Sequence, residues 1–571
     1  MKRIVLLFLL FAFIIGVFLF GVLGLWRMNK ENLTQESLRY HILTKNTADK
    51  IGTVSVIGCQ KNLIKNALYI PSTINSDGVT YSVTLIGERA FQTCDNLASV
   101  TIPDSVTHIG EWTFSECTGL TNLVIGKGGT SIGEWAFLSC NNLTSVTIPD
   151  SVTHIGARAF EDCTKLNYLL IGSGVTSIGK GAFKLCRKLN SVTIPEGIPL
   201  IEDEVFASSS LTDIIIPNSV TQIGIRAFDQ CKKLTNMVIG NSVTNICRRA
   251  FEGCNNLTSL TIPDSVTHIG EKAFSLCDKL TRVAIPESVT HVDGWAFGFC
   301  SGLTNLVICK SVSHIGEGAF NLCEKLKSIE IDKKNQSYIS VDGVLFSRDM
   351  TLLVGYPEGK EGKKYTIPSG VTRIEDFAFS GCSLADIIIP DSVTHIGDSA
   401  FQSCKNLASV TLPGSVTTIG EWAFYSCNNL KNITLPNSIT SISKSAFENC
   451  GNLTDIVIPD SVPHIGERAF EDCTSLSHLV IGESVTNIGG RAFLSCENLT
   501  SVTFPENVTN IGENVFFSCT KLTTVYFKGP PPTVAGRNFG VNLVLYYVEG
   551  TPGWTTPTWE GYTTKTWTPE P

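Results

Sequence analysis

Phenylalanine returns at a fixed interval along almost the whole chain, and that interval limits what the chain can fold into. It stands at Phe91, Phe114, Phe137, Phe160, Phe183 and Phe206, a period of 23 residues, and again at Phe228, Phe251, Phe274, Phe297 and Phe320. After an irregular stretch the beat resumes at Phe379 and Phe401, continues through Phe424, Phe447, Phe470, Phe493 and Phe516, and ends on an echo at Phe539. A period of this size marks a solenoid, in which each unit is one coil that buries its apolar side only against its neighbours. Length alone suggests several domains, whereas the repeat argues for one elongated array with caps.

One unit explains why coils must stack. Between Phe91 and Phe114 the apolar residues are Cys94, Leu97, Val100, Ile102, Val106 and Ile109. Val100-Thr101-Ile102 alternates inward and outward as a short strand, and Pro103, lacking an N–H, ends it. A second extended piece, Val106 to Ile109, is closed by Gly110, and Glu111 to Cys117 reads as one tight helical turn, too short to stand alone. Successive coils would pair these strands in two parallel ladders with a spacing of about 4.8 Å. Two repeats are 22 residues long, Phe206 to Phe228 and Phe379 to Phe401. In both, the missing residue lies between the Phe and the following Leu211 or Leu384, so the turn absorbs the deletion and the strands keep phase.

The segments Ile102-Pro103-Asp104-Ser105-Val106-Thr107-His108-Ile109-Gly110 and Ala90-Phe91-Gln92-Thr93-Cys94-Asp95-Asn96-Leu97 resemble the BspA-type leucine-rich repeat of bacterial and protist surface proteins, over roughly residues 80–528. The resemblance implies a mainly β, right-handed, elongated leucine-rich-repeat solenoid used in adhesion or partner binding, with no catalytic residues to carry over. The organisation that follows is a signal-anchor or transmembrane segment at 1–28 and a linker and cap at 29–80. The solenoid covers 81–528, with an irregular, hairpin-bearing repeat at 326–367, and a C-terminal cap and tail cover 529–571.

Lys2 and Arg3 precede an apolar run from Ile4 to Leu25. Such a run can cross a bilayer core of about 30 Å, whereas a signal-peptide core spans about 7 to 15 residues. An uncleaved signal anchor, forming an N-terminal transmembrane helix, is one reading; a long cleavable signal peptide followed by secretion is the other. Either exports the remainder, to the cell surface or periplasm. The chain is 43% hydrophobic and 17% charged with 49 Gly and 23 Pro, as many short strands joined by tight turns require. A net charge of −8 without a basic block argues against nucleic acid as a partner.

Twenty cysteines in an exported chain would ordinarily suggest disulfides, but seventeen fall three residues after the Phe, from Cys94 to Cys519. Equivalent residues on stacked coils lie one ladder spacing apart, beyond disulfide Cβ distances of about 3.5 to 4.5 Å. A column of buried thiols is expected, and no zinc site. His108, His154, His268, His291, His314, His395 and His464 form a second column, six residues before the Phe. It reads as a polar, solvent-facing position, with His268, His291 and His314 on consecutive coils.

Two outward columns are candidates for binding. The first, two residues before the Phe, includes Trp112, Trp135, Arg158, Arg226, Arg249, Trp295 and Trp422. It reads either as a cover for the turn or as an aromatic-basic ridge gripping a protein or glycan. The second, on the first strand, includes Thr101, Val124 and Thr147 and predicts a flat, almost uncharged sheet face. The irregular stretch from Phe320 to Phe379 spans 59 residues, with Val344-Leu345-Phe346 and Leu352-Leu353-Val354 reading as a hairpin that projects from the stack. No catalytic constellation, metal set or cofactor motif is present. The function read from the sequence is a non-enzymatic, exported adhesion or interaction scaffold for protein or glycan partners. A self-associating structural envelope protein is the rival, and an intracellular signalling scaffold a third reading that Ile4 to Leu25 opposes.

Overall fold

The computed structural model describes residues 32–35, 38–48, 50–59, 66–536, 538–540 and 543–568. The expected transmembrane helix, Ile4 to Leu25, lies outside them. Among the described residues no helix is long and apolar enough to cross a membrane. The chain divides into two compact units, 1–188 and 189–571, each a stack of short strands.

In the first unit, antiparallel strands Asn32–Gln35, Leu38–Thr44 and Gly52–Cys59 cover the outer edge of the stack. Gly52–Cys59 then pairs in parallel with Val79–Ile86. From there one ladder continues through His108–Ile109, Ser131–Ile132, His154–Ile155 and Ser177–Ile178. The other ladder joins Asn66–Tyr69, Leu97–Ile102 and Asn122–Ile125, followed by Ser145–Ile148 paired with Tyr168–Ile171. Strands such as Asn122–Ile125 and Ser145–Ile148 alternate exposed and buried residues, which fixes their register, because a slip by one would turn every apolar side chain outward. Phe91, Phe114, Phe137, Phe160 and Phe183 stack down the interior at 5.0–5.5 Å with planes 6–8° apart.

The expected helical turns are absent: no helix occurs among the described residues. In Glu111 to Cys117, Trp112 and Glu116 are left-handed, with φ of 54° and 59°, and such residues stop a helix from propagating. Their backbone bonds run between coils instead. The N–H groups of Arg89, Phe91 and Thr93 donate to the carbonyls of Glu111, Thr113 and Ser115 at 2.8–3.0 Å. Four-residue turns within the coil fill the remainder, as in Cys117 N–H to Phe114 O at 3.2 Å.

The polar residues of the repeat serve the same stacking. Asp104 Oδ1 accepts from the Lys127 N–H at 2.7 Å, and Thr107 Oγ1 donates to the Thr84 carbonyl at 3.0 Å. A Cβ on Gly133 would lie 2.6 Å from the Gly110 carbonyl carbon, so glycine follows the second strand because adjacent backbones touch there. All twenty cysteines are thiols. Most of those in the column donate to the Phe carbonyl of the preceding coil, as Cys117 does to Phe91 at 3.1 Å and Cys140 to Phe114 at 3.2 Å. Burial raises the pKa of Cys140 and Cys186, and that of Cys163 to about 12.

The second unit repeats this plan around an interruption. Before it, one ladder runs from Leu200–Ile201 through Gln222–Ile223, Asn245–Ile246, His268–Ile269 and His291–Val292 to His314–Ile315. After it, Leu352–Gly355 pairs in parallel with Arg373–Ile374, and the ladder continues through His395–Ile396 and Thr418–Ile419. The hairpin of Val344–Ser347 and Leu352–Gly355 is present, but it does not project. Val344, Leu345, Phe346 and Leu353 are at most 1% exposed, because the hairpin itself supplies a coil of the stack. Tyr356 takes the Phe place and stacks on Phe379 at 5.2 Å. One apolar core then runs from Val344 to Leu545. At the far end, Thr524–Phe527, Val544–Val548 and Tyr562–Trp567 extend the other ladder, with Trp554 against Phe527 and Tyr547 at 4.9 and 5.2 Å.

Candidate functional site

The row two residues before the Phe holds its side chains outward on left-handed backbone: φ is 54° at Trp112, 51° at Trp135 and 53° at Arg158. Trp112 and Trp135 stack at 4.6 Å, and the Arg89 guanidinium carbon lies 5.9 Å from the Trp112 centroid. Both faces of Trp112 are thus taken within the row, which leaves an indole edge for an outside ligand. Arg158 Nε lies 3.5 Å from Glu161 Oε2. In the second unit Arg226 and Arg249 occupy successive coils, and Arg249 is held by Glu252 at 3.4 Å. Trp422 has Lys444 Nζ 5.9 Å from its ring centroid. Between Trp295 and Trp422 the row holds Gly318, Phe377 and Ser399; Phe377 meets Trp295, and the short Ser399 sets Trp422 in a separate patch.

The sheet face is more regular. Thr101 sits beside Val124 in the ladder, and Thr147 beside Leu170. Val124 and Leu170 are 47% and 46% exposed, and in the second unit Ile215, Val238 and Val457 reach 67%, 58% and 53%. Beside this apolar row, short polar residues bond along the stack: Asn122 Nδ2 donates to Ser99 Oγ at 3.2 Å, and Asn236 Nδ2 to Asp213 Oδ1 at 2.6 Å.

In the histidine column, His268 and His291 stack at 5.6 Å, and His314 follows at 5.7 Å, tilted by 42°. His268 Nε2 lies 2.8 Å from Asp293 Oδ2. No group of three or more His, Cys, Asp or Glu among the described residues is placed to hold a metal.

A groove that sequence reasoning missed opens at the interruption. There the ladder ending at His314–Ile315 is not continued by a strand; the Ile315 N–H donates to Tyr338 Oη at 3.0 Å. The groove encloses about 600 Å³ between Trp295, Ile315, Leu352 and Val354, with Glu271, Lys272, Glu317 and Glu375 on its walls. Trp295 stacks on Phe299 at 5.3 Å and meets Phe377 edge-on at 4.8 Å. Burial, with Asp376, Glu375 and Asp398 nearby, pushes the Glu317 carboxyl up from its ordinary value. The only sequence signal for the groove was the long interval between Phe320 and Phe379.

The model of the BspA type leucine-rich repeat region matches the chain in six copies, at residues 62–171, 116–235, 153–277, 221–343, 358–468 and 441–540. The chain belongs to the BspA-type leucine-rich repeat family. Members of this family are repeat scaffolds, typically interaction or surface proteins and typically non-catalytic. Among solved structures, this BspA-type chain is similar to a leucine-rich repeat protein from Eubacterium ventriosum, at 22% identity over 83% of this chain and 90% of that one, with a TM-score of 0.37. A leucine-rich cell surface protein from Faecalibacterium prausnitzii is 27% identical over 88% and 96% of the two chains, with a TM-score of 0.32. A leucine-rich repeat protein from Bacteroides ovatus is 23% identical over 90% and 100%, with a TM-score of 0.30. No curated protein matches the chain.

Proposed function

We propose that this protein is a non-enzymatic interaction scaffold, anchored by Ile4 to Leu25 with its repeats on the outer side of the membrane, that binds protein or glycan partners through its sheet face. The observation that carries this reading is the apolar row along the ladders, with Val124, Leu170, Ile215, Val238 and Val457 each about half exposed or more. Exposed apolar side chains repeated along a regular face in each unit are a feature of interaction surfaces. The family supports a scaffold role, and the repeated coils of each unit offer a regular face rather than a single reactive pocket. The test is surface plasmon resonance of the purified full chain over a panel of extracellular-matrix proteins and glycans. Saturable binding that is lost in the Val124→Lys/Thr147→Lys variant is expected; binding unchanged by both lysines refutes the sheet face as the binding surface.

The same uncharged row supports a second reading, self-association into an envelope layer. Light scattering of the full chain separates the two. Growth with concentration that the two lysines abolish favours self-association, and a constant mass favours foreign partners.

A further inference from the structure

The groove at the interruption differs in chemistry from the face just described. Trp295, Ile315, Leu352 and Val354 give it an alkyl and indole floor, while three carboxylates, one ammonium, the His314 imidazole and the Tyr338 hydroxyl stand around it. Glu271 is engaged by Arg248 and Lys272 at 3.3 and 3.4 Å, and Glu375 by Arg373 at 3.5 Å. Glu317 has no ion pair among the described residues and is crowded by Asp376, Glu375 and Asp398. The carboxylates come from coils on both sides of the interruption, so their convergence is a product of the irregular repeat.

We propose that this groove docks a lysine- or arginine-bearing segment of a protein partner, its cationic head beside Glu317 and Glu375 and its alkyl stem along Ile315, Leu352 and Val354. This rests on the scaffold reading only in supplying a protein partner. Charge complementarity selects the head: an added cation relieves the repulsion of Glu317 by Asp376, Glu375 and Asp398, which the smaller attraction of Arg373 does not cancel. The floor selects the source. Lysine and arginine stems lie along apolar surface while the head stays polar, whereas a free polyamine spreads its charges along its whole length. A volume of about 600 Å³ falls within the range of pockets that enclose a ligand and holds more than one side chain.

The experiment is isothermal titration of the full chain at low salt with acetyl-tetralysine amide, acetyl-tetraglutamate amide and spermine. Tetralysine is expected to bind at one site, more tightly than spermine, and tetraglutamate to give no heat. Glu317→Gln/Glu375→Gln, with its melting temperature checked against the parent, should weaken tetralysine at least tenfold. Leu352→Asn should weaken tetralysine more than spermine, because only the peptide is held by the floor. Tetralysine affinity unchanged in the double glutamine variant overturns the proposal, as does spermine binding as tightly as the peptide. Failure here with intact binding at the sheet face leaves the scaffold reading standing; loss of binding by the Val124→Lys/Thr147→Lys protein in the matrix and glycan panel alone does not touch the groove.

Discussion

Glu358 lies where the irregular coil turns back toward the stack, its Oε2 buried without a hydrogen bond. Burial, then the neighbouring Glu324, pushes its carboxyl up to about 7 from 4.5, against a smaller pull from Lys405. The folded state therefore keeps a proton that the unfolded chain has released, so this group's contribution to stability is complete below about 4.5 and is lost as pH rises to about 7. Glu358→Gln should raise the melting temperature more at pH 8 than at pH 4.5 by calorimetry; an equal gain at both refutes this. Gly318 gives a second residue-scale prediction. Its φ is +60°, and a Cβ would lie 2.9–3.2 Å from the Trp295 ring. Gly181, with φ of +62°, would place one 3.4 Å from the flexible Arg158 Cγ. Alanine at Gly181 should cost about 1 kcal/mol in urea unfolding, from backbone conformation alone. Alanine at Gly318 should cost more, because a rigid ring must also move.

At the scale of the element, the irregular repeat is pinned by Asn335, which is fully buried. Its Nδ2 donates to the carbonyls of Cys309 and Val312, and its Oδ1 accepts from the N–H groups of Ser337 and Tyr338, at 2.8–2.9 Å. Asn335→Ala strands these buried groups and should cost on the order of 3 kcal/mol. Hydrogen exchange should localise the loosening to the coil that follows; uniform loss along the stack refutes the assignment. The strands were legible because period-two alternation and the closing Pro103 and Gly110 are written into each unit. The turns were not, since Trp112 and Glu116 are poor indicators of left-handed backbone, although Gly181, Gly253 and Gly318 at matching positions carried the hint. Tyr356 stands 23 residues before Phe379 and keeps the period, but a search for Phe passes over it. Counted from it, the irregular coil has 36 residues between Phe320 and Tyr356, and the groove follows from that excess. Convergence of Glu271, Glu317 and Glu375 required coordinates, because their spacing repeats no motif.

For the whole molecule, stability in such a stack is a sum of coils and nearest-neighbour contacts. Phe424 touches Phe401 and Phe447 at 5.0 and 5.3 Å. Phe424→Ala should therefore cost about 3 to 5 kcal/mol, with exchange protection lost chiefly in those three coils. A cooperative loss throughout both units contradicts it. Eighteen thiols, the seventeen of the column and Cys309, are buried, while Cys59 and Cys247 are only partly covered. Ellman's reagent should modify about these two in the native protein and all twenty in guanidinium. Rapid modification of many more in the native state refutes the sulfur column. The fold needs no oxidant to become complete, yet every nascent chain carries sulfhydryls enough for countless wrong crosslinks. In an oxidising compartment, its survival becomes a race between coil closure and sulfur coupling, won by local assembly that seals each sulfur as soon as the next turn is laid down.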